Sequence, residues 1–209
     1  MDNSRLVGCT RWSELGDTLK FHIELSYRAN CPSEFRLLNN FQPVLVNGEN
    51  DEGMSIMTGL LSESPSGGTP LCRHISEVIN KIDSIKHVLR QNNQKACVII
   101  ATDGDSSDGD ILNAMRRLKD LPVWTVVRLC TDDEKIVNYW NNIDGNLEMD
   151  MDILDDLKGE AEEIFEHNPW ITYGQPLHQM REFGISSVKE FDLLDEAALT
   201  AEQMSTLVY

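Results

Sequence analysis

The chain has 209 residues, enough for one domain of ordinary size, and 41% of them are hydrophobic, so it can bury a core. Acidic residues outnumber basic residues by 35 to 18, which gives a formal net charge of −17. Binding to nucleic acids or to anionic membranes depends on clustered cations, so this charge argues against both as partners.

The sequence carries no signal for a membrane or for secretion. No apolar run reaches the roughly 20 residues of a membrane span, and the first residues form no apolar signal segment. The five cysteines have no CxxC spacing and are predicted to be reduced thiols. We therefore expect a cytoplasmic or otherwise intracellular protein.

The first half of the chain predicts helices around a short hairpin. Apolar side chains recur at helical spacing in three segments, and two short apolar runs between them are typical of strands. A threonine followed by proline is a common start signal for the third and longest helix. The predicted elements are a helix over 12–29, strands over 35–39 and 44–46, a helix over 51–61 and a long helix from Thr69 to about Arg90.

Two continuous apolar runs follow, with a helix predicted between them. Residues 97–101 and 123–127 are almost entirely apolar, which is typical of parallel strands that helices cover on both faces. Helices are predicted over 109–119 and 131–140, the second because Thr131 lies three residues before a glutamate in a capping box. Strands that alternate with helices in this way predict an α/β three-layer sandwich.

The last part of the chain is predicted as an edge strand followed by helices. Apolar and acidic residues alternate strictly over 147–153, which predicts an edge strand with a solvated acidic face. Capping boxes predict helix starts at Ser187 and Thr200. We expect an α/β domain over 1–153 and an acidic helical C-terminal extension over 154–209.

Three stretches rich in hydroxyl and carboxylate groups are expected at the carboxyl ends of strands, where open α/β sheets bind ligands. They are residues 2–8 (DNSRLVG), 66–71 (SGGTPL) and 101–108 (ATDGDSSD). Oxygen ligands without histidine or cysteine are typical of a site for a hard cation such as Mg²⁺. The sequence therefore predicts a metal site where these stretches meet.

The three stretches resemble the metal-ion-dependent adhesion site of the von Willebrand factor A domain family, over roughly residues 2–153. That family's site consists of an Asp-x-Ser-x-Ser loop, a threonine on a second loop and an aspartate on a third. Asp2 and Ser4 match the first loop. Thr69, within Gly-Gly-Thr-Pro-Leu, matches the second, and Asp103, within Ala-Thr-Asp-Gly, matches the third.

The resemblance implies a fold, a cation and a kind of partner. It implies a Rossmann-like sheet and a site for Mg²⁺, with Mn²⁺ or Ca²⁺ as alternatives. In that family a carboxylate of a partner protein completes the coordination of the cation, and no chemical reaction takes place. We therefore expect a protein partner and no enzymatic activity, while the oligomeric state stays open.

Two features depart from the family pattern. Leu6 stands where the family has its second serine, so one hydroxyl ligand is missing. The family's central first strand would precede Asp2, and this strand is expected to be missing from the chain. The strands over 35–39 and 97–101 would then lack their shared neighbour. We expect the isolated chain to be poorly soluble or loosely packed unless another segment or chain supplies the strand.

Simpler interpretations of the same residues stay open. Asp103 fits a turn before Gly104, and Thr69 fits a helix N-cap that needs no metal. One alternative function is a degenerate structural or scaffold module without metal, and a more distant one is a metal-dependent hydrolase. Trp170, in an aromatic loop, is predicted to dock on its own domain, with docking on a partner as the alternative.

Overall fold

The computed structural model describes residues 11–208 apart from 41, 49–51, 65, 132, 148, 186 and 187. This part of the chain is mixed α/β, with a three-stranded parallel sheet flanked by helices and a separate two-stranded sheet, so the α/β class is confirmed. The chain divides into two compact units, residues 1–67 and 68–209. The boundary predicted after residue 153 lies inside the second unit, and a separate C-terminal extension stays a prediction.

The first unit consists of two helices and an antiparallel hairpin. Its elements are α1 (Arg11–Arg28), β1 (Ser33–Phe35), β2 (Val44–Val46) and α2 (Glu52–Leu61). Gly53 allows α2 to lie directly on β2, because a Cβ there would lie 2.0 Å from the carbonyl oxygen of Leu45. The buried apolar core of this unit consists of Ile23, Val44, Val46 and Met57.

The predictions for the first unit are confirmed except for one strand. Both helices begin and end within one residue of the predicted bounds. The first strand, predicted over 35–39, instead ends at Phe35. The amide of Asn40 donates a hydrogen bond of 3.0 Å to the carbonyl of Leu37, so these residues form a turn in the connection between β1 and β2 and do not extend the strand.

The second unit opens with a long helix and then alternates strands with helices. Its elements are α3 (Leu71–Gln91), β3 (Ala96–Thr102), α4 (Ile111–Met115), β4 (Val123–Leu129), α5 (Glu134–Leu147), β5 (Met151–Leu154), α6 (Leu157–His167), α7 (Gln175–Glu182), α8 (Lys189–Asp192) and α9 (Ala201–Val208). The helix predicted over 109–119 is split into α4 and a 3-10 turn, Arg116–Leu118. The two strands predicted from continuous apolar runs are confirmed as β3 and β4, but the predicted burial holds only for β4, because Cys97 and Ile99 of β3 are exposed.

The sheet of the second unit is parallel, with β4 between β3 and β5. Ala96 pairs with Val123, and Thr125 pairs with Met151. Every residue of β4 except Trp124 is buried, which agrees with a strand covered on both faces. Within the described residues β3 pairs only with β4, so its other edge has no strand beside it.

The acidic segment before α6 differs from its prediction. Leu147 ends α5, and the strand begins only at Met151. β5 is an edge strand of the described sheet, as predicted, but its face is not a solvated acidic strip, because Asp152 is only 8% exposed. The guanidinium of Arg181 lies 3.5 Å from the Asp152 carboxylate, so a buried cation takes the place of water.

One predicted capping box forms and one is replaced. Thr200 and Gln203 exchange the two hydrogen bonds of a capping box at the start of α9, at 3.3 and 2.9 Å. Thr131 was expected to cap α5, but the carboxylate of Asp133 accepts the backbone amide of Lys135 instead, at 2.9 Å. A carboxylate next to the first turn also interacts favourably with the helix dipole.

The helices after β5 pack around a small core of their own. Its buried members are Ile164 of α6 and two leucines of the α8–α9 region, Leu194 and Leu199. Ser187, predicted to open a helix, lies outside the described residues. None of the helices in the described part of the chain is both long and apolar enough to cross a membrane.

Candidate metal centre

The turn that follows β3 presents Asp103 to solvent. The hydroxyl of the buried Thr102 donates to the carbonyl of Gly104 at 3.0 Å, and the amide of Gly104 lies 3.3 Å from the same hydroxyl. The indole of Trp140, which is fully buried, donates to the carbonyl of Gly104 at 3.3 Å. Two buried side chains thus hold the turn in place, and Asp103 lies exposed at its tip.

The turn after β3 and the loop before α3 are bound to each other. The amide of Ser107 donates to the carbonyl of Thr69 at 2.8 Å. The amide of Thr69 donates in return to the hydroxyl of Ser107 at 3.0 Å. The structure therefore brings the Thr69 loop and the loop that contains Asp103 together, although 34 residues separate the two positions in the sequence.

The start of α3 is capped from the neighbouring loop. The two carboxylate oxygens of Asp108 accept the backbone amides of Cys72 and Arg73, each at 2.9 Å. The hydroxyl of Ser106 donates to the same carboxylate at 2.6 Å. Partial burial raises the pKa of Asp108, but these hydrogen bonds outweigh it and lower that pKa below its ordinary value.

This arrangement corrects one predicted cap. The side chain of Thr69 does not cap α3, which begins only at Leu71. The next helix, α4, is capped by Asp110, which accepts the amides at its start, at 3.0 Å from Leu112. A charged carboxylate is a stronger acceptor than a neutral hydroxyl, which explains why the aspartates take these positions.

Three oxygen-bearing side chains of the two loops bind no other group among the described residues. Within the described residues, the hydroxyl of Thr69 and the carboxylates of Asp103 and Asp105 take part in no hydrogen bond or ion pair. The surroundings are acidic: burial and then the negative charges of Asp105 and Asp110 raise the pKa of Tyr139. Hydroxyl and carboxylate oxygens in an acidic setting are a donor set that fits Mg²⁺.

The described residues contain half of the predicted ligand set. Thr69 and Asp103 are on adjoining loops, whereas Asp2 and Ser4 lie outside the described residues, and so does Leu6. The structure therefore shows that the two loops lie next to each other, and the assignment of all four residues as metal ligands stays a prediction.

A buried charged cluster, which the sequence analysis missed, lies around Arg181. Its guanidinium binds the carboxylates of Glu160 at 2.7 Å, Asp195 at 2.8 Å and Asp152 at 3.5 Å. Arg181 is fully buried, and Glu160 is 1% exposed. The Arg181 cluster, as we call these four residues, connects β5, α6, α7 and the segment after α8.

A second chain of polar contacts lies on the same helix, α7. The carboxylate of Glu182 lies 2.5 Å from the guanidinium of Arg128 and 3.4 Å from the imidazole of His178. The hydroxyl of Tyr173 lies 3.0 Å from Nδ1 of His178. His178, Arg181 and Glu182 follow the i, i+3, i+4 spacing of one helix face, and this spacing is the sequence feature that could have indicated a shared polar cluster. It was not decisive, because charged residues on a helix are usually exposed to solvent.

The Arg181 cluster already contains its cation. Carboxylate oxygens of Glu160, Glu163 and Asp195 lie within 4.8 Å of one another, a spacing that could hold a metal ion. Two of these three carboxylates bind the Arg181 guanidinium, which supplies the positive charge. Burial, despite attraction to Arg181, raises the pKa of Glu160 to about 8, so this group is a poor metal ligand near neutral pH.

Comparison with known proteins adds no relative. No family model matches the chain, and no curated protein and no solved structure matches it. The functional argument therefore depends on the contacts within the chain itself.

Proposed function

We propose that the chain is a non-enzymatic protein-binding module, similar to a von Willebrand factor A domain, that uses a divalent cation to recognise a carboxylate of a partner protein. One observation carries this proposal. The Thr69 loop and the loop of Asp103 are bound to each other at the carboxyl end of β3, and within the described residues the Thr69 hydroxyl and the Asp103 carboxylate take part in no hydrogen bond or ion pair.

The chemistry follows from the charges at this edge. A bound Mg²⁺ would be the largest positive charge in the site, and an open coordination position on it attracts an anion such as a carboxylate. Thr69 would supply a hydroxyl oxygen, and Asp103 would supply negative charge. Asp2 and Ser4, which lie outside the described residues, would add a second carboxylate and a second hydroxyl.

We also propose a Rossmann-like fold for this module. The order of elements in the described residues supports it: a helix, a hairpin, two helices and then parallel strands joined by helices. In an open sheet of this kind, ligands bind at the carboxyl ends of the strands, where the turn with Asp103 follows β3.

Calorimetric titration of Mn²⁺ and of Mg²⁺ into the full chain tests the site. We expect binding that Asp103→Asn weakens by about tenfold or more, because the substitution removes negative charge next to the cation. Asp120→Asn is the matched control, since Asp120 is an exposed aspartate in the turn before β4. Absence of binding by the unmodified chain, or equal loss in both variants, would contradict the proposal.

A scaffold without metal is the second candidate, and a specific observation favours it. The cap from Asp108 and the reciprocal hydrogen bonds between Thr69 and Ser107 join the two loops through the protein's own groups. The loops then need no cation to stay together. The scaffold would show the same thermal midpoint in Mg²⁺ and in EDTA, whereas a metal-binding module is stabilised by its ligand.

A further inference from the structure

A groove on the second unit lies between α6 and the loop that follows it. The groove has a volume of about 660 Å³, within the usual range for ligand sites. Phe165, Pro169, Ile171 and Tyr173 supply its apolar lining, and Glu162 and Glu166 lie among its lining residues as well. We call this feature the α6 groove.

Two aromatic residues in and beside the α6 groove have large exposed surfaces. The side chain of Phe165, which lines the groove, is 64% exposed, and that of Trp170, in the loop beside it, is 44% exposed. The prediction that Trp170 docks on its own domain is thus met only in part, because its indole nitrogen binds Asn168 while much of its ring faces solvent. An exposed aromatic side chain within an apolar groove is typical of an interaction surface.

The loop that carries Trp170 is held rigidly by Asn168, which is fully buried. The side-chain amide of Asn168 donates to the carbonyls of Leu194 at 2.7 Å and Ala197 at 2.8 Å. Its oxygen accepts the backbone amide of Leu199 at 2.9 Å and the indole of Trp170 at 3.1 Å. The loop therefore needs little ordering when a partner binds, which favours affinity.

The end of the same loop, at Tyr173, is also fixed. The hydroxyl of Tyr173 is bound to His178, whose imidazole is 3% exposed and lies 3.4 Å from the buried carboxylate of Glu182. Burial raises the pKa of the Tyr173 phenol well above its ordinary range, so the ring stays neutral. Tyr173 thus gives the groove an apolar, uncharged wall whose position the buried polar contacts determine.

The charges around the groove select the partner. The lining contains two carboxylates, those of Glu162 and Glu166, and one cation, Lys158, which lies 3.5 Å from Glu162. Glu166, one turn further along α6, therefore leaves an excess negative charge beside the apolar lining. An acidic edge around an apolar floor complements an apolar side chain flanked by basic residues.

We propose that the α6 groove binds a peptide segment of a partner protein in which a bulky apolar side chain is flanked by lysine or arginine. The apolar side chain packs into the groove against Phe165, and the flanking basic residues face Glu166. This surface takes a basic segment and needs no metal, whereas the cation site takes a carboxylate. The two sites therefore differ in the charge of what they bind.

Selection of peptides from a displayed random library against the full chain tests the proposal. We expect the enriched peptides to share an apolar residue with basic neighbours and to bind equally well in Mg²⁺ and in EDTA. Added salt should weaken them, because exposed charge pairs are screened. Enrichment of acidic peptides, or of none, would overturn the proposal.

Variants of the full chain locate the binding site of a selected peptide. Phe165→Ser should weaken it by about tenfold or more, as expected for a central aromatic contact, and Glu166→Lys should weaken it as well. The matched controls are Ile85→Ser, at a residue that is 42% exposed on α3, and Glu202→Lys on α9. Equal binding by Phe165→Ser and Ile85→Ser would overturn the proposal.

Sedimentation of the unmodified chain tests another occupant, a second copy of the chain. We expect a sedimentation coefficient that does not change between the unmodified chain and Phe165→Ser. A dimer that Phe165→Ser dissociates and Ile85→Ser leaves intact would show that a second copy fills the groove, and would overturn the proposal of a basic peptide.

Discussion

Aspartates of similar appearance in one loop have different roles in this protein. Asp108 and Asp110 accept backbone amides at the starts of α3 and α4. Asp103 and Asp105 bind no group among the described residues. The first pair is needed for the helices, and the second pair is available to a cation. Spacing in the sequence does not distinguish these roles, because the amides that Asp108 caps lie 35 and 36 residues earlier in the chain.

Removing the cap should loosen the start of α3. We expect Asp108→Ala to lower the stability of that helix end by about 1 kcal/mol, the usual cost of losing a capping side chain. Hydrogen exchange at the amides of Cys72 and Arg73 measures it. Because the pKa of Asp108 is lowered, its contribution is present above the ordinary value of 3.8 and is lost as the pH falls through the lowered value in the folded chain.

Asp105→Ala is the control for this experiment, since Asp105 belongs to the same loop and caps no helix among the described residues. Its exchange rates at the start of α3 should match those of the unmodified chain. Faster exchange in both variants would show that the loop is sensitive to any loss of charge and would contradict the capping role.

At the scale of the elements, four segments meet at the Arg181 cluster through charged side chains, where packed elements usually meet through apolar ones. The guanidinium lies between carboxylates from β5, α6 and the segment after α8. Moving charged groups out of water is unfavourable, and close ion pairs and hydrogen bonds offset this free energy only when their geometry is good. The cluster therefore defines which elements come together, but it also makes their packing sensitive to protonation.

The pH dependence of stability should report this cluster. Burial raises the pKa of Glu160 from 4.5 to about 8, despite the attraction of Arg181 and the hydrogen bond from the amide of Asp155. The folded chain thus favours the neutral carboxyl, whose contribution is full below pH 4.5 and is lost as the pH rises through about 8. Glu160→Gln, which cannot ionise, should flatten the fall in stability across this interval.

Thermal midpoints across that pH interval provide the measurement. Glu162→Gln is the matched control, because Glu162 is on the same helix but exposed, and its profile should follow that of the unmodified chain. Parallel profiles for Glu160→Gln and the unmodified chain would show that Glu160 is ionised in the folded state throughout.

The whole molecule contains two units with separate sheets, and β3 has an unpaired edge within the described residues. Ile99, near the middle of β3, is 36% exposed. Parallel strands of this composition are normally covered on both faces. Among the described residues β3 is therefore less covered than its apolar run predicts.

Unfolding of the full chain should therefore be broad. We expect a gradual loss of circular dichroism on heating, because sheets with free edges lack part of the contacts that make unfolding cooperative. Far-UV circular dichroism at a slow heating rate measures the width of the transition. A sharp, cooperative transition of the unmodified chain would contradict the expectation that the unpaired edge of β3 weakens cooperativity.

Local patterns were sufficient to predict most of the elements. The apolar runs of β3 and β4 and the periodic apolar faces of α1 and α3 depend on neighbours within a few residues, so they are visible in the sequence. The capping box at Thr200 is local in the same sense. The family motifs also indicated that the Thr69 loop and the Asp103 loop lie together.

Tertiary structure alone decided how the charged residues are used. Asp152 was predicted to be solvated because alternation shows which residues share a face but not what covers that face. Arg181 covers it, from a helix nearly 30 residues further along. Likewise, Asn168 acquires its role only where it meets the backbone of Leu194 and Leu199. Burial and ion pairing depend on distant segments, and a sequence pattern records only near ones.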